Sequence, residues 1–167
     1  MAELQFTTDV AAPADAVFAA IADLTGYGRW LPGSNSFGGI TNVSPLPVGL
    51  GTTYIDAGPA GTREGSIVAF TPPTLIAFRQ PMRVQRGMLM GTIDIDVRCA
   101  LEPLERGTRV VRTITIRPRG LLLLAQPLIV SAFRAENERL LAELRRYVES
   151  QEDVTETPSV GRLDHRR

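Results

Sequence analysis

The chemistry that this chain can support is limited by its few catalytic residue types. The only histidine, His165, lies in a polar C-terminal stretch, and the only cysteine, Cys99, lies among apolar residues of a predicted strand. A histidine-activated serine or cysteine nucleophile is therefore not expected in the folded part of the chain. The same shortage argues against a metal site, and the glycine pairs lack the lysine of a phosphate loop, so we predict no metal and no cofactor.

Arginine, tyrosine and aspartate side chains remain for acid–base chemistry, and Arg112 is the most informative of them. It shares the alternation of Val110, Ile114 and Ile116 in one predicted strand. That register points its guanidinium into the core, where it needs a carboxylate or a ligand oxygen. A β-bulge would instead turn it towards solvent, and the residues leave both orientations open.

Tyr54 and Asp56 share one face of another predicted strand, and Glu64 lies on the next one. If that face is turned inward, these side chains can transfer protons; if it is turned outward, they are ordinary surface residues. Arg79 is a further candidate for polarising a substrate carbonyl. The candidate catalytic residues are thus Arg112, Arg79, Tyr54 and Asp56, and the direction of their side chains is left open.

These candidates have to be positioned by strands and one long helix. Alternating apolar and polar runs between Gly and Pro predict strands at residues 4–10, 37–43, 51–57, 63–70, 75–80, 88–101 and 108–117. Pro13 starts a short helix, and residues 27–32 form a second helical turn. The longest element is an amphipathic helix at residues 121–149, which Pro127 would kink if the residues before it are also helical.

An antiparallel sheet and one long helix bury their apolar faces most simply when the curved sheet wraps around the helix. Phe133 lies on the apolar stripe of that helix, and the polar Asn137 follows one turn later. Asn137 can cap a cavity floor or bond a nearby backbone group. Where side chains fail to fill such an interior, a mostly apolar cavity remains that can bind a small molecule.

The length and charge of the chain indicate its domain organisation and exclude some classes of partner. The 167 residues fit one domain at residues 1–150, followed by a polar tail at residues 151–167 that we expect to be disordered. Eighteen basic residues, all arginine, balance eighteen acidic ones, so no general nucleic-acid or anionic-membrane surface is expected.

The first residues do not resemble a signal peptide, and the apolar stretch at residues 121–130 is too short to cross a membrane. A single cysteine suits a cytoplasmic protein.

Several segments together resemble a known family. They are VAAPADAVF (residues 10–18), YGRWLP (27–32), PPTLIAFR (72–79), LEP (101–103), GTRV (107–110) and ERLLAELRRYVE (138–149). Their order and spacing are similar to those of the START-like, helix-grip superfamily, in its polyketide cyclase/dehydrase-like or SRPBCC group. The resemblance implies an α+β fold with the order β-α-α-β6-α, in which a curved seven-stranded antiparallel sheet grips the long C-terminal helix.

Members of that superfamily bind lipids, sterols, polyketides, plant hormones or quinones, and some cyclise polyketides. Because they share no universal catalytic motif, the resemblance assigns no catalytic residue here. We therefore expect a small hydrophobic or aromatic ligand in a cavity between the sheet and the C-terminal helix, contacted by Trp30, Tyr54, Phe78, Ile95, Val97, Phe133 and Asn137.

Three alternatives remain open at this point. Trp30 and Tyr27 either gate such a cavity or plug one end of the core. The protein could instead be a polyketide aromatase/cyclase or dehydrase that uses interior Arg, Tyr or Asp side chains without a cofactor. It could also be a protein-interaction module or a homodimer that uses an exposed sheet edge or groove.

Overall fold

Within the residues that the structure describes, the fold combines one antiparallel sheet with two α-helices. The computed structural model describes residues 1–86 and 89–156. The strands are β1 (Ala2–Val10), β2 (Ile40–Ser44), β3 (Thr53–Gly58), β4 (Gly61–Thr71), β5 (Leu75–Arg79), β6 (Met82–Arg86), β7 (Leu89–Leu104) and β8 (Gly107–Pro118). The helices are α1 (Ala14–Ala22) and α2 (Gln126–Glu156), and 3₁₀ helices occupy Leu24–Arg29 and Gly120–Ala125.

The sheet has seven strand positions, as predicted. Its order is β1-β8-β7-β5-β4-β3-β2, and β6 lies between β4 and β7, so that it continues the line of β5. Pro81 separates the two segments because its nitrogen carries no hydrogen for the ladder. All the pairings are antiparallel. The observed architecture confirms the predicted α+β, helix-grip class.

The alternation predicted for the longest strand is also confirmed. Ile93, Ile95, Val97, Cys99 and Leu101 of β7 are all buried, at most 3% exposed. The polar residues between them, among them Asp94, Asp96 and Arg98, are partly or fully exposed on the other face. A strand that contacts the core on one side only requires this period of two.

The C-terminal helix differs from its prediction at both ends. The chain first forms the 3₁₀ helix at Gly120–Ala125, and α2 begins at Gln126. Pro127 is therefore the second residue of the α-helix, where no helical hydrogen bond needs its missing N–H, and it starts the helix instead of interrupting it. At the other end α2 continues to Glu156, so residues 151–156 of the predicted disordered tail are helical. The rest of that tail lies outside the described residues.

The apolar face of α2 closes the core over the sheet. Leu141, Leu144 and Val148 are buried on it, and Leu144 is fully enclosed. Ile129 and Phe133, nearer the start of the helix, are only partly buried. The core is therefore tight at the C-terminal half of α2 and looser at its N-terminal half.

Within the described residues, no helix combines the length and apolar character needed to cross a bilayer.

Candidate functional site

A cavity of about 270 Å³ lies between the sheet and the N-terminal half of α2. Six of the seven residues expected to contact a ligand line it: Tyr54, Phe78, Ile95, Val97, Phe133 and Asn137. The side chains on the strands point inward because alternate strand residues face the core. Phe133 and Asn137 point inward because they lie on the face of α2 that packs on the sheet. The structure thus brings these side chains together around one space, and their contact with a ligand stays a prediction.

Trp30 is the seventh expected residue, and it does not line this cavity. Its side chain is buried beside Tyr27, with ring centroids 4.8 Å apart, and it stacks on Tyr147 of α2 at 6.3 Å. The 3₁₀ helix ends just before Trp30 and directs the indole towards the later turns of α2. Trp30 therefore plugs one end of the core, whereas its neighbour Tyr27 reaches the cavity.

Two further candidates from the sequence face solvent. Arg79 is exposed because it follows Phe78, which points inward on β5. Glu64 is exposed on β4 and forms a 3.3 Å ion pair with Arg83 on the surface. Neither side chain lines the cavity. The register of β5 turns Arg79 away from the cavity, so the structure does not bring it together with Arg112, Tyr54 and Asp56.

Arg112 points inward. The structure thus selects one of the two orientations that the strand sequence left open. The pairing of β8 is continuous with β7 from Gly107 to Pro118 and with β1 from Thr108 to Ile116, so no bulge turns the side chain outward. Only 8% of Arg112 is exposed. Its Nε donates to Oδ1 of Asn137 at 2.9 Å, and its Nη1 donates to Sγ of Cys99, the residue directly opposite on β7, at 3.1 Å.

The hydrogen-bond partners of Arg112 are neutral. Both the Asn137 amide and the Cys99 thiol lack a charge, and no ion pair of Arg112 occurs among the described residues. A guanidinium stays protonated at every ordinary pH and carries five N–H donors in a planar fork. Burying such a charge without an anion is unfavourable, so Arg112 is a positive site that a ligand oxygen can neutralise from the cavity.

Asp56 faces the cavity but is already paired. It lies directly opposite Arg63, on the neighbouring strand β4, and accepts a hydrogen bond from Nη1 of Arg63 at 2.5 Å. The backbone N–H of Gly38 donates to its other oxygen at 3.2 Å. Both side chains of the pair are almost fully buried. Both oxygens of Asp56 are therefore engaged within the protein, one by Arg63 and the other by the backbone of Gly38.

Arg63 was not among the sequence-derived candidates, although the sequence contains a signal for it. The turn at residues 58–61 pairs Gly58 with Gly61, and this register places Arg63 opposite Asp56. Arg63 also donates to the backbone carbonyl of Ser36 at 2.5 Å, and its guanidinium lies 6.0 Å from the ring centre of Phe133. The signal is the turn sequence Gly58-Pro59-Ala60-Gly61, because a hairpin with this register aligns the two charges.

Tyr54 supplies a hydroxyl group that remains protonated. Its ring packs flat over Gly65, the residue opposite on β4, where an added Cβ would lie 2.2 Å from Cζ of the tyrosine. Its hydroxyl oxygen accepts a hydrogen bond from Nε2 of Gln80. Burial raises the pKa of Tyr54 to about 12, and the hydrogen bond from Gln80 and the charge of Arg112 oppose that rise. Near neutral pH this group is a proton donor and not a base.

The raised pKa of Tyr54 predicts a loss of stability in alkali. Because the folded-state pKa of about 12 lies above the ordinary 10.0, the neutral phenol favours the folded state fully below pH 10. That contribution is lost as the pH rises from about 10 to about 12. Urea unfolding across this window is expected to show a smaller fall in the free energy of unfolding for Tyr54→Phe than for the parent protein. Part of the fall will remain because burial also raises the pKa of Tyr27. Equal falls in both proteins would contradict the assignment.

Glu136 is a second residue that sequence reasoning missed. It lies on α2 at the cavity, one position before Asn137, and no alternation singles out a carboxylate there. Its Oε1 accepts from Nη2 of Arg139 at 2.6 Å, and both of its oxygens lie 3.1 Å from the hydroxyl of Ser34. Like Asp56, this carboxylate has a cationic partner. The charges at the cavity therefore comprise two satisfied ion pairs and Arg112.

These contacts define what the site can do. Its walls are mainly apolar and aromatic, and its chemically active groups are the Arg112 cation and the Tyr54 phenol. In the described part of the chain, no three His, Cys, Asp or Glu side chains converge to hold a metal ion. The site suits a small apolar or aromatic molecule that carries an oxygen able to accept from Arg112.

Comparison with known proteins agrees with this architecture. Residues 1–149 match the family described as polyketide cyclase / dehydrase and lipid transport. No curated protein matches the sequence. Among solved structures, the chain is similar to the Zhui aromatase/cyclase from Streptomyces sp. R1128, at 17% identity and a TM-score of 0.75, covering 93% of this chain and 98% of that one.

Two other solved structures share the fold. The di-domain aromatase/cyclase StfQ from the steffimycin biosynthetic pathway is 14% identical, with a TM-score of 0.69 over 90% of this chain and 52% of that one. An uncharacterised protein from Rhizobium leguminosarum is 18% identical, with a TM-score of 0.65 over 89% and 95% of the two chains. At these identities the likeness concerns the fold. The family match extends over nearly the whole folded chain, and the protein thus belongs to the polyketide cyclase/dehydrase and lipid-transport family.

Proposed function

We propose that this protein binds a small aromatic, polyketide-like molecule and that Arg112 donates hydrogen bonds to an oxygen of that ligand, with an anionic oxygen binding more tightly than a carbonyl oxygen. The single observation that carries the proposal is the buried Arg112, whose hydrogen-bond partners in a mainly apolar cavity are neutral. Family membership supports the ligand class, because the family model is named for polyketide and lipid substrates. An oxygen on the ligand would compensate the buried charge, and the ring system would fill the space between Phe78 and Phe133.

The size of the cavity narrows the ligand further. A volume of about 270 Å³ lies just below the lower end of the range of roughly 300–1,000 Å³ for ligand pockets. A long lipid chain would not be enclosed, whereas a molecule of one or two fused rings fits. The aromatic side chains of Tyr27, Tyr54, Phe78 and Phe133 around the cavity favour a planar guest.

A pair of probes of equal shape tests the proposal. Naphthoate and naphthamide differ in charge but hardly in size, and calorimetric titration of the purified protein with each gives the two dissociation constants. We expect naphthoate to bind about tenfold or more tightly, because its carboxylate forms an ion pair with the Arg112 guanidinium, whereas the amide carbonyl of naphthamide carries no charge. Equal affinities, or no binding of either probe, would contradict the proposal. Native mass spectrometry of the freshly purified protein would identify any ligand that it retains.

A second candidate function is cyclisation or dehydration of a polyketide-like substrate. One observation favours it: Arg112 and Tyr54 line the same cavity. There Arg112 would stabilise the negative charge that develops on a carbonyl oxygen, and Tyr54 would donate a proton. Both cavity carboxylates are held by arginines, so neither is free to act as the base. For this reason binding is the better-supported function.

Catalysis of cyclisation or dehydration by this site can be tested with a model ketone. Tetralone, a bicyclic ketone, exchanges the protons next to its carbonyl when that carbonyl is polarised, and NMR in heavy water follows the exchange. Protein-accelerated exchange that Tyr54→Phe abolishes would support catalysis by this site. A rate equal to that of buffer would remove this candidate and leave ligand binding as the function.

A further inference from the structure

Four leucines beside the cavity are exposed to solvent, which is unusual for large apolar side chains. They are Leu121, Leu123, Leu124 and Leu128, between 52% and 85% exposed, and we call them the leucine cluster. Three of them belong to the 3₁₀ helix at Gly120–Ala125, and the fourth lies in the first turn of α2. Single exposed leucines need no explanation, but a contiguous group of them marks a surface that meets another apolar phase.

The leucine cluster is held in place by the sheet. Leu122, between the exposed residues, is buried and packs over Gly91 of β7, where an added Cβ would come within 2.7 Å of its Cδ1. Just before the cluster, the backbone N–H of Arg119 donates to the carbonyl of Thr92 at 3.0 Å. The turn is thus docked on β7 through one leucine, and its remaining leucines are directed away from the protein.

The leucine cluster is continuous with the cavity. Leu128 is 75% exposed and also lines the cavity, together with Ile129 and Ala132 on the following turn. An apolar path therefore leads from the exposed leucines into the site. A hydrophobic guest that entered along this path would lose its contact with water at the leucines, before it reached the cavity.

Exposed arginines flank the leucine cluster along the chain. Although the whole chain is neutral, no acidic residue occurs between Glu105 and Glu136. Arg119 pairs with Asp94, but the arginine side chain is 70% exposed and the aspartate only 21%. Arg134, two turns into α2, is also exposed. Arg119 and Arg134 therefore present exposed guanidinium groups on the two segments that carry the leucines.

We propose that the leucine cluster docks on an anionic lipid bilayer, with Arg119 and Arg134 at the phosphate level and the cavity mouth facing the acyl chains. Exposed leucines flanked by basic side chains are the pattern of peripheral, interfacial attachment. A bilayer accepts methyl groups in any arrangement, whereas a protein partner would need a matching surface. The inference goes beyond the proposed function and does not depend on which ligand is bound.

Vesicle co-sedimentation of the full chain tests the docking. The probes are vesicles of phosphatidylcholine alone and vesicles that also contain phosphatidylglycerol. We expect partition into the anionic vesicles, weakened by added salt. The double variant Leu121→Ser/Leu124→Ser should bind about tenfold or more weakly, because two apolar side chains no longer enter the bilayer. Arg134→Gln should lower the preference for phosphatidylglycerol while leaving the leucines intact.

The matched control is Leu46→Ser/Leu50→Ser. These two leucines are 64% and 70% exposed in the connection between β2 and β3, the pair at the sheet edge away from β7, and we expect their replacement to leave vesicle binding unchanged. Absence of binding by the parent protein would overturn the proposal, as would equal losses in the two double variants. A dimer in sedimentation velocity that Leu121→Ser/Leu124→Ser converts to monomer would identify a self-association surface instead and would also overturn it. Because no ligand is present, failure here leaves the proposed function untouched.

Discussion

Replacing Arg63 with methionine is expected to lower the free energy of unfolding by about 3–5 kcal/mol, the usual cost of removing one partner from a buried ion pair. The carboxylate of Asp56 would keep only the backbone N–H of Gly38 as a donor, in a site where both side chains of the pair are about a tenth exposed or less. The lost contact with the carbonyl of Ser36 adds to the effect. Urea unfolding at neutral pH measures the change.

Two variants separate this explanation from a general loss of packing. The double variant Asp56→Asn/Arg63→Met removes both charges and is expected to recover most of the lost stability. Arg83→Met breaks the exposed pair with Glu64, whose side chains are 76% and 56% exposed, and should cost less than about 1 kcal/mol. If the double variant were as unstable as Arg63→Met alone, the buried charge of Asp56 would not be the cause.

Replacing Arg112 with methionine is expected to weaken naphthoate binding by about 10- to 100-fold, which corresponds to a hydrogen bond to a charged group. Binding of naphthamide should change much less. Methionine has a similar reach and keeps the cavity wall apolar. Because the hydrogen-bond partners of Arg112 are neutral, its removal leaves no unpaired charge behind, and we expect stability to be retained or raised. Calorimetric titration and urea unfolding give the two quantities.

Arg98→Met provides the matched control for this experiment. Arg98 is adjacent to Cys99 on β7 but is exposed on the outer face of the sheet, so the same substitution changes the charge of the protein without touching the cavity. Unchanged naphthoate affinity in Arg98→Met and weakened affinity in Arg112→Met would locate the anion site. Equal weakening in both variants would indicate a nonspecific charge effect and would contradict the role of Arg112.

The architecture could be predicted from local patterns because each of them has a single physical cause. Alternation along β7 from Ile93 to Leu101 reflects a strand with one buried face, and the structure has that face buried. The amphipathic helix was predicted for the same reason. Its start was misplaced because four consecutive leucines at residues 121–124 are typical of a buried helix, whereas they form a 3₁₀ turn in which three of them are exposed.

By itself the sequence determined the order of the elements, the one-sided burial of β7 and the set of residues that share each face. Only the tertiary structure decided that Tyr54, Asp56 and Arg112 face inward and that Arg79 and Trp30 lie outside the cavity. Alternation relates neighbouring side chains to one another, but the side on which α2 packs decides which set is buried. The neutral surroundings of Arg112 depend on Asn137, 25 positions away on another element, and such a contact exists only once the sheet has closed around the helix.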